Sequence, residues 1–200
     1  MVKGCRVGWS RIILLALVLG SGGGLVGEEP LPANYVANGD FEQGDKSWQL
    51  VDSKGNKGGS IVTEADGNHA LCGQGETYWM AGTEKYFGEQ KLENYAGKEL
   101  FVSFKVKGTE DAYPGIILYC IVDGKQQEFT MMWKTEWREN NIRLTEAYVR
   151  YERKRTLPAG TTKVEVINLY NATKRGKIYF DDIRLGTTPC KGKEESPGLW

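Results

Sequence analysis

The sequence predicts an all-β domain of the β-sandwich or jelly-roll type. Three observations carry this. Strand-like runs recur at intervals of roughly ten residues, separated by Gly, Asn and Asp turns. Glycine is abundant at 26 residues, with 6 Trp and 10 Tyr, which suits a turn-rich fold with aromatic strands. No long segment repeats its apolar residues at helical spacing. A chain of 200 residues is expected to hold one domain with tails, large enough to bury a core without disulfide staples.

Residues 1–27 stand apart from that domain. Lys3, Arg6 and Arg11 form a positive leading region, residues 12–19 an unbroken apolar run, and Gly20 and Ser21 begin a small-residue stretch. This is the pattern of a secretory signal peptide, with cleavage expected within residues 20–27. The alternative is an uncleaved N-terminal anchor. The apolar run is far shorter than the ~20 residues of a membrane span, so no membrane attachment is expected after cleavage. Removal takes three of the 26 basic residues and none of the 26 acidic ones, leaving 23 against 26 and a mildly acidic exported chain.

Residues 28–33 read as a Pro-containing lead-in. The jelly roll is expected over 34–186. Residues 47–52 are strand-like and 54–59 a Gly/Asn turn cluster. Short strands follow at 60–63 and 70–73. Residues 99–106 alternate, with Leu100, Val102, Phe104 and Val106 on one face. Residues 116–122 are apolar on both faces, which predicts a central, doubly covered strand. Asp123 and Gly124 form a turn dipeptide that joins this strand to 126–132 as a hairpin. Further strands are expected at 148–157, 163–170 and 177–185. Residues 91–95 offer at most one helical turn. Residues 187–200 form a polar tail with two prolines.

Composition excludes several functions. Balanced charge argues against a nucleic-acid binder, which needs a basic face. One His leaves little for His-dependent catalysis or a His-rich metal site. No GxSxG or HExxH occurs. Glu136, Glu139 and Glu146 cluster, but loop-like spacing does not set two carboxyls opposite each other at the ~5–5.5 Å of a retaining glycosidase. His69 reads as a satisfied turn histidine. With Cys5 in the leader, Cys72, Cys120 and Cys190 remain. Export permits a Cys72–Cys120 pair; two buried reduced cysteines are the equal alternative. Asn171, Ala172 and Thr173 fit a glycosylation sequon.

Three segments together resemble one family. They are NGDFEQG at 38–44 with Trp48 soon after, YVRYERKRTLPAG at 148–160, and KIYFDDIRL at 177–185. In this order they are similar to the CenC-type carbohydrate-binding modules, galactose-binding-like β-jelly rolls grouped with carbohydrate-binding-module families 4, 9 and 22. The resemblance spans 33–186. It implies a glycan ligand, and a structural calcium ion held by Glu42 with Asp181 or Asp182. Calcium takes oxygen donors from carboxylates and carbonyls. Simple alternation puts Asp181 inward with Ile183 and Leu185, where a carboxylate needs a partner or a cation, and leaves Asp182 facing solvent. The alternative is an Asp181 satisfied by hydrogen bonds alone.

Sugars present C–H faces and hydroxyls, so their sites pair exposed aromatics with polar side chains. Candidate ligand residues are Trp79, Trp133, Trp137 and Tyr170. Trp137 falls in a polar, loop-like stretch (KTEWRENN) and is expected to be partly exposed. Trp48 and Tyr148 match core positions of the family. The 148–157 strand departs from the family pattern by carrying Arg150, Arg153, Lys154 and Arg155. If Tyr151 points inward, so do Arg153 and Arg155, and buried arginines need partners. They then line a cationic groove suited to acidic glycans, unless a bulge shifts the register or the strand is exposed and its charge solvated. The leading expectation is a secreted, non-catalytic module that binds a polysaccharide by stacking and hydrogen bonds. The alternatives are a jelly roll of an extracellular assembly that binds no sugar, and a small polysaccharide-acting enzyme.

Overall fold

A computed structural model describes residues 34–50, 58–74, 79–83, 97–132, 134–173 and 175–189. A boundary after Leu31 separates Met1–Leu31 from a unit spanning Pro32–Trp200, which contains all of them. The expected signal peptide, the lead-in up to residue 33, the helical turn at 91–95, Trp133 and the tail from Cys190 onward lie outside the described residues.

Among the described residues there are nine strands and one short helix. The strands are β1 Ser60–Thr63, β2 His69–Gln74, β3 Trp79–Thr83, β4 Glu99–Gly108, β5 Pro114–Val122, β6 Lys125–Met132, β7 Val149–Thr156, β8 Thr161–Asn171 and β9 Lys177–Gly186, with α1 at Lys134–Glu139 between β6 and β7. They form two antiparallel sheets, ordered β1-β2-β9-β4-β7 and β3-β8-β5-β6. This is the expected all-β jelly roll. No described helix is long and apolar enough to cross a membrane.

The core lies between the sheets and follows from period-two alternation. Leu100, Val102, Phe104 and Val106 of β4 face Ile116, Leu118, Cys120 and Val122 of β5, joined by Ile167 and Leu169 of β8 and Ile178, Phe180, Ile183 and Leu185 of β9. Burying each large side chain contributes about 1.5–3 kcal/mol. The β5–β6 hairpin turns at Asp123 and Gly124, both at positive φ (50° and 75°), the geometry that matches the right-handed strand twist.

The opening motif forms a turn that docks on the last strand. The Asn38 side chain organises it: Nδ2 donates to the carbonyls of Gly44 (2.9 Å) and Lys46 (2.7 Å), and Oδ1 accepts the Gln43 amide (2.9 Å). Trp48 Nε1 donates to the Asn38 carbonyl at 2.9 Å, and the Trp48 ring lies 5.1 Å from that of fully buried Phe41. Ile183 donates its amide to Gly39 at 2.8 Å. This wrapping displaces the expected 47–52 strand: over 47–50 only Gln49 makes a bridge, and 51–57 lie outside the described residues.

A bulge in β9 corrects the expected inward orientation of Asp181. Phe180 pairs with Val106 and Asp181 with Lys105, but the next pair is Arg184 with Ser103. Asp182 and Ile183 thus oppose the single residue Phe104, and Asp182 sits at φ 45°. Phe180 and Ile183 both stay inward, so Asp181 and Asp182 both lie on the outer face of the five-stranded sheet.

Candidate functional site

The outer face of the four-stranded sheet gathers the groups that could meet a ligand. By register, Ile117 opposes Thr130 and Asn168, Tyr119 opposes Glu128 and Val166, and Tyr170 opposes Gly115. Ile117, Tyr119, Glu128, Thr130 and Tyr170 line an open depression of about 740 Å³, closed at one edge by Thr135 and Glu136 of α1. The Tyr119 hydroxyl donates to Glu128 Oε1 at 3.0 Å, and Asn168 Nδ2 donates to the Tyr170 hydroxyl at 3.2 Å. Burial, then Tyr170 and Glu128, push the Tyr119 hydroxyl well above the usual tyrosine value, so it stays a protonated donor. Gln126 and Lys163 both reach Glu165, at 2.9 and 3.2 Å. The face therefore alternates aromatic rings with carboxylate, amide and hydroxyl groups.

The expected ligand residues divide. Tyr170 lines the depression. Trp79 pairs with Tyr170 in the β3–β8 register. Trp133 lies outside the described residues. Trp137 is corrected: KTEWRE is a helix, and Trp137 is 1% exposed, packed edge-on against Tyr151 at 4.8 Å between ring centroids. Six residues are too few for a visible helical period, so the polar string reads as loop while its one aromatic plugs the core.

The basic strand does not form a cationic groove on the sheet face. The β4–β7 register runs without a shift, so Tyr151 and Arg153 share a face as parity requires. Arg153 meets Glu136 of α1 at 3.5 Å (Nε to Oε2), and Arg155 forms an ion pair with the same carboxylate. Lys154 pairs with Glu99 at 2.7 Å. On the opposite face buried Arg150 donates to Ser103 at 2.8 Å and pairs with Asp182.

Glu42, Asp181 and Asp182 have separate surroundings. Glu42 accepts the His69 amide (3.1 Å) and faces its Nδ1 (3.1 Å), so His69 is held in place at the start of β2. Asp181 is 6% exposed; its carboxyl accepts the Asp182 amide and, at 3.4 Å, Nδ2 of Asn68. Burial pushes it above the usual carboxylate value. Glu42 and Asp181 thus meet at consecutive residues, His69 and Asn68. Asp182 is instead paired with Arg150 and Arg184, the latter at 2.8 Å. Among the described residues no group of three or more His, Cys, Asp or Glu is placed to hold a metal ion.

Of the two cysteine readings, the buried reduced pair holds. Cys72 and Cys120 are free, buried thiols; they lie in different sheets, and Cys120 is pushed up to about 12 by burial. Asn171, the sequon residue, is 1% exposed and donates Nδ2 to the Arg175 carbonyl at 2.5 Å, so its amide is enclosed. Tyr119 and Glu128 were not anticipated as site residues. Their signal is present in the alternation of Gln126, Glu128 and Thr130, which marks one open face of the hairpin, and in Tyr119 at the matching parity of β5. The run 116–122 looked apolar on both faces and hid it.

No protein-family model and no curated protein matches the sequence. Solved structures do. The C-terminal family 22 carbohydrate-binding module of Clostridium thermocellum Xyn10B is 15% identical with a TM-score of 0.51, over 81% of this chain and 99% of that one. A xylan-binding domain of family 22 is 14% identical with a TM-score of 0.51, over 79% and 97%. A family 16 carbohydrate-binding module is 17% identical with a TM-score of 0.50, over 76% and 99%. The chain therefore has the jelly-roll fold of carbohydrate-binding modules; family 22 is among those its motifs resemble, and family 16 is an addition.

Proposed function

We propose that this protein is an exported, non-catalytic carbohydrate-binding module whose ligand lies across the outer face of the four-stranded sheet. The depression floored by Tyr119 and Tyr170 and rimmed by Glu128 and Thr130 carries the reading. The partly exposed Tyr119 ring matches the C–H face of a sugar, Tyr170 beside it being itself buried, and the hydroxyl, carboxylate and amide groups match sugar hydroxyls. That one structural neighbour is described as a xylan-binding domain supports the ligand class. Affinity electrophoresis through gels containing xylan, galactan or β-glucan tests it. Retention is expected on at least one polymer, with Tyr119→Ala weakening it roughly tenfold, as for loss of one well-made contact. No retention on any polysaccharide, or full retention by Tyr119→Ala, would overturn the reading and favour an extracellular interaction domain.

Glu128 and Glu136 line the same depression, the one observation that favours polysaccharide cleavage. Glu136, however, is held by Arg153 and Arg155, so its carboxylate is turned to the protein's own guanidinium groups. We expect no reducing ends to be released from any retained polymer. For export, the mature N-terminus is expected within residues 21–28, read by sequencing the secreted protein.

A structural calcium ion is also proposed, held by Glu42 and Asp181 beside the Asn68–His69 turn. A buried carboxylate raised by desolvation, and a second carboxylate that meets the neighbouring residue of the same turn, would suit a hard cation with oxygen ligands. Asp182, already neutralised by two guanidinium groups, does not fit as a ligand. The ion would act structurally, tying the opening turn to β9.

A further inference from the structure

Four of the described arginines, Arg150, Arg153, Arg155 and Arg184, are paired with carboxylates. The other three, Arg138, Arg143 and Arg175, form no ion pair among the described residues, and all three line one pocket. Lys134 joins them in this cavity of about 520 Å³. Its one acid, Asp111, accepts a hydrogen bond from Thr109 at 2.7 Å and leaves the pocket strongly positive. One wall is Tyr113, with the Arg138 guanidinium 5.7 Å from the ring centroid, a contact that steadies the cation.

The pocket adjoins the sheet-face depression. Helix α1 serves both: Thr135 and Glu136 line the depression, while Lys134 and Arg138, one turn apart on the helix, line the pocket. At the end of β8, Tyr170 belongs to the depression, and Ala172, in the turn just past the strand, belongs to the pocket. Two residues of chain span at most ~7 Å. A polymer crossing the sheet toward this end delivers its next substituent to the cations.

We propose that Lys134, Arg138, Arg143 and Arg175 form an anion pocket that takes the carboxylate of a uronic-acid residue, so that the glycan on the four-stranded sheet is an acidic one. This rests on the sheet-face reading above. Guanidinium forks match a carboxylate bidentately, and the described arginines without an ion pair converge on one pocket, unlike the extended basic face that tracks a nucleic-acid backbone. The site differs from Arg153 and Arg155, which share the Glu136 carboxylate.

The test uses two polymer pairs, polygalacturonate and glucuronic-acid-substituted xylan, each beside its carboxyl-reduced counterpart, with affinity measured for wild type, the Arg138→Gln/Arg143→Gln/Arg175→Gln variant and Tyr119→Ala. Wild type is expected to bind the acidic member of at least one pair about tenfold more tightly, as for one charge-assisted contact. The triple variant should lose that preference, keep its affinity for the reduced polymer and melt like wild type. Equal affinity for both members of each pair, or a preference that survives the triple substitution, would overturn the pocket. Tyr119→Ala with unchanged affinity for every polymer would instead overturn the sheet-face reading, so the two fail separately.

Discussion

Asp181 and Asp182 are adjacent, and their carboxyls are displaced in opposite directions. Burial would raise Asp182, but Arg184 and Arg150 outweigh it and hold it below the usual carboxylate value. A group lowered in the folded state contributes stability above its unfolded pKa of about 3.9, and that stability is lost as pH falls through the folded value. Asp182→Asn is therefore expected to destabilise the protein by roughly 2 kcal/mol at pH 7, less than the loss for a fully buried pair, because Arg150 stays buried without its anion. The difference from wild type should shrink below about pH 4. Urea unfolding at pH 3.5 and 7 checks this, and an equal difference at both would refute it. Trp137 gives a second case. As a core plug against Tyr151, Trp137→Ala should cost about 3–5 kcal/mol and lower the melting temperature by roughly 10 °C. Any loss of glycan binding below the new melting temperature would contradict a purely structural role.

At the scale of elements, what could be read from the sequence depended on length and on local rules. Eight of the nine described strands coincide with runs visible as alternating or apolar stretches, because each spans enough residues to show period two. Strand β3 was missed: Trp79–Thr83 (WMAGT) contains a glycine and no β-branched residue before its last, so propensity is silent and pairing with β8 decides. Helix α1 was missed because tertiary burial of one tryptophan fixes it. Asp181 was misoriented because a bulge breaks parity, and parity cannot announce its own exceptions. Of the site, Tyr170 was visible as an aromatic, whereas Tyr119 and Glu128 became site residues only through the β5–β6 register. The opening motif was recognisable, and its glycine has a concrete reason. A Cβ on Gly39 would lie 2.1 Å from the Ile183 carbonyl oxygen, against backbone that cannot yield cheaply. Gly39→Ala should therefore cost several kcal/mol. Gly44→Ala, at φ 65° in open space, should cost only about 1–2 kcal/mol. Melting temperatures that rank the two the other way would refute the docking of the turn on β9.

At the scale of the whole molecule, the turn at 38–44 and strand β9 bring the two ends of the jelly roll together. Tyr35 donates its amide to Leu185 at 2.7 Å, and Ile183 donates to Gly39. A cation shared by Glu42 and Asp181 would add a bond between those ends, and the linkage sign of Asp181 exposes it. Burial raises Asp181, so without a cation its stabilising contribution is present at acid pH and lost as pH rises through the folded value; at pH 7 the ionised form opposes folding. Asp181→Asn removes that charge while keeping a carbonyl oxygen for the Asp182 amide. In chelator the variant should melt above wild type. With calcium the order should reverse, because wild type gains about 2.7 kcal/mol at a hundredfold excess over Kd, roughly 5–10 °C in a domain of this size, and the variant gains little. If chelator and calcium give wild type the same melting temperature, Glu42 and Asp181 hold no ion, and the jelly roll is closed by the turn-to-strand hydrogen bonds alone.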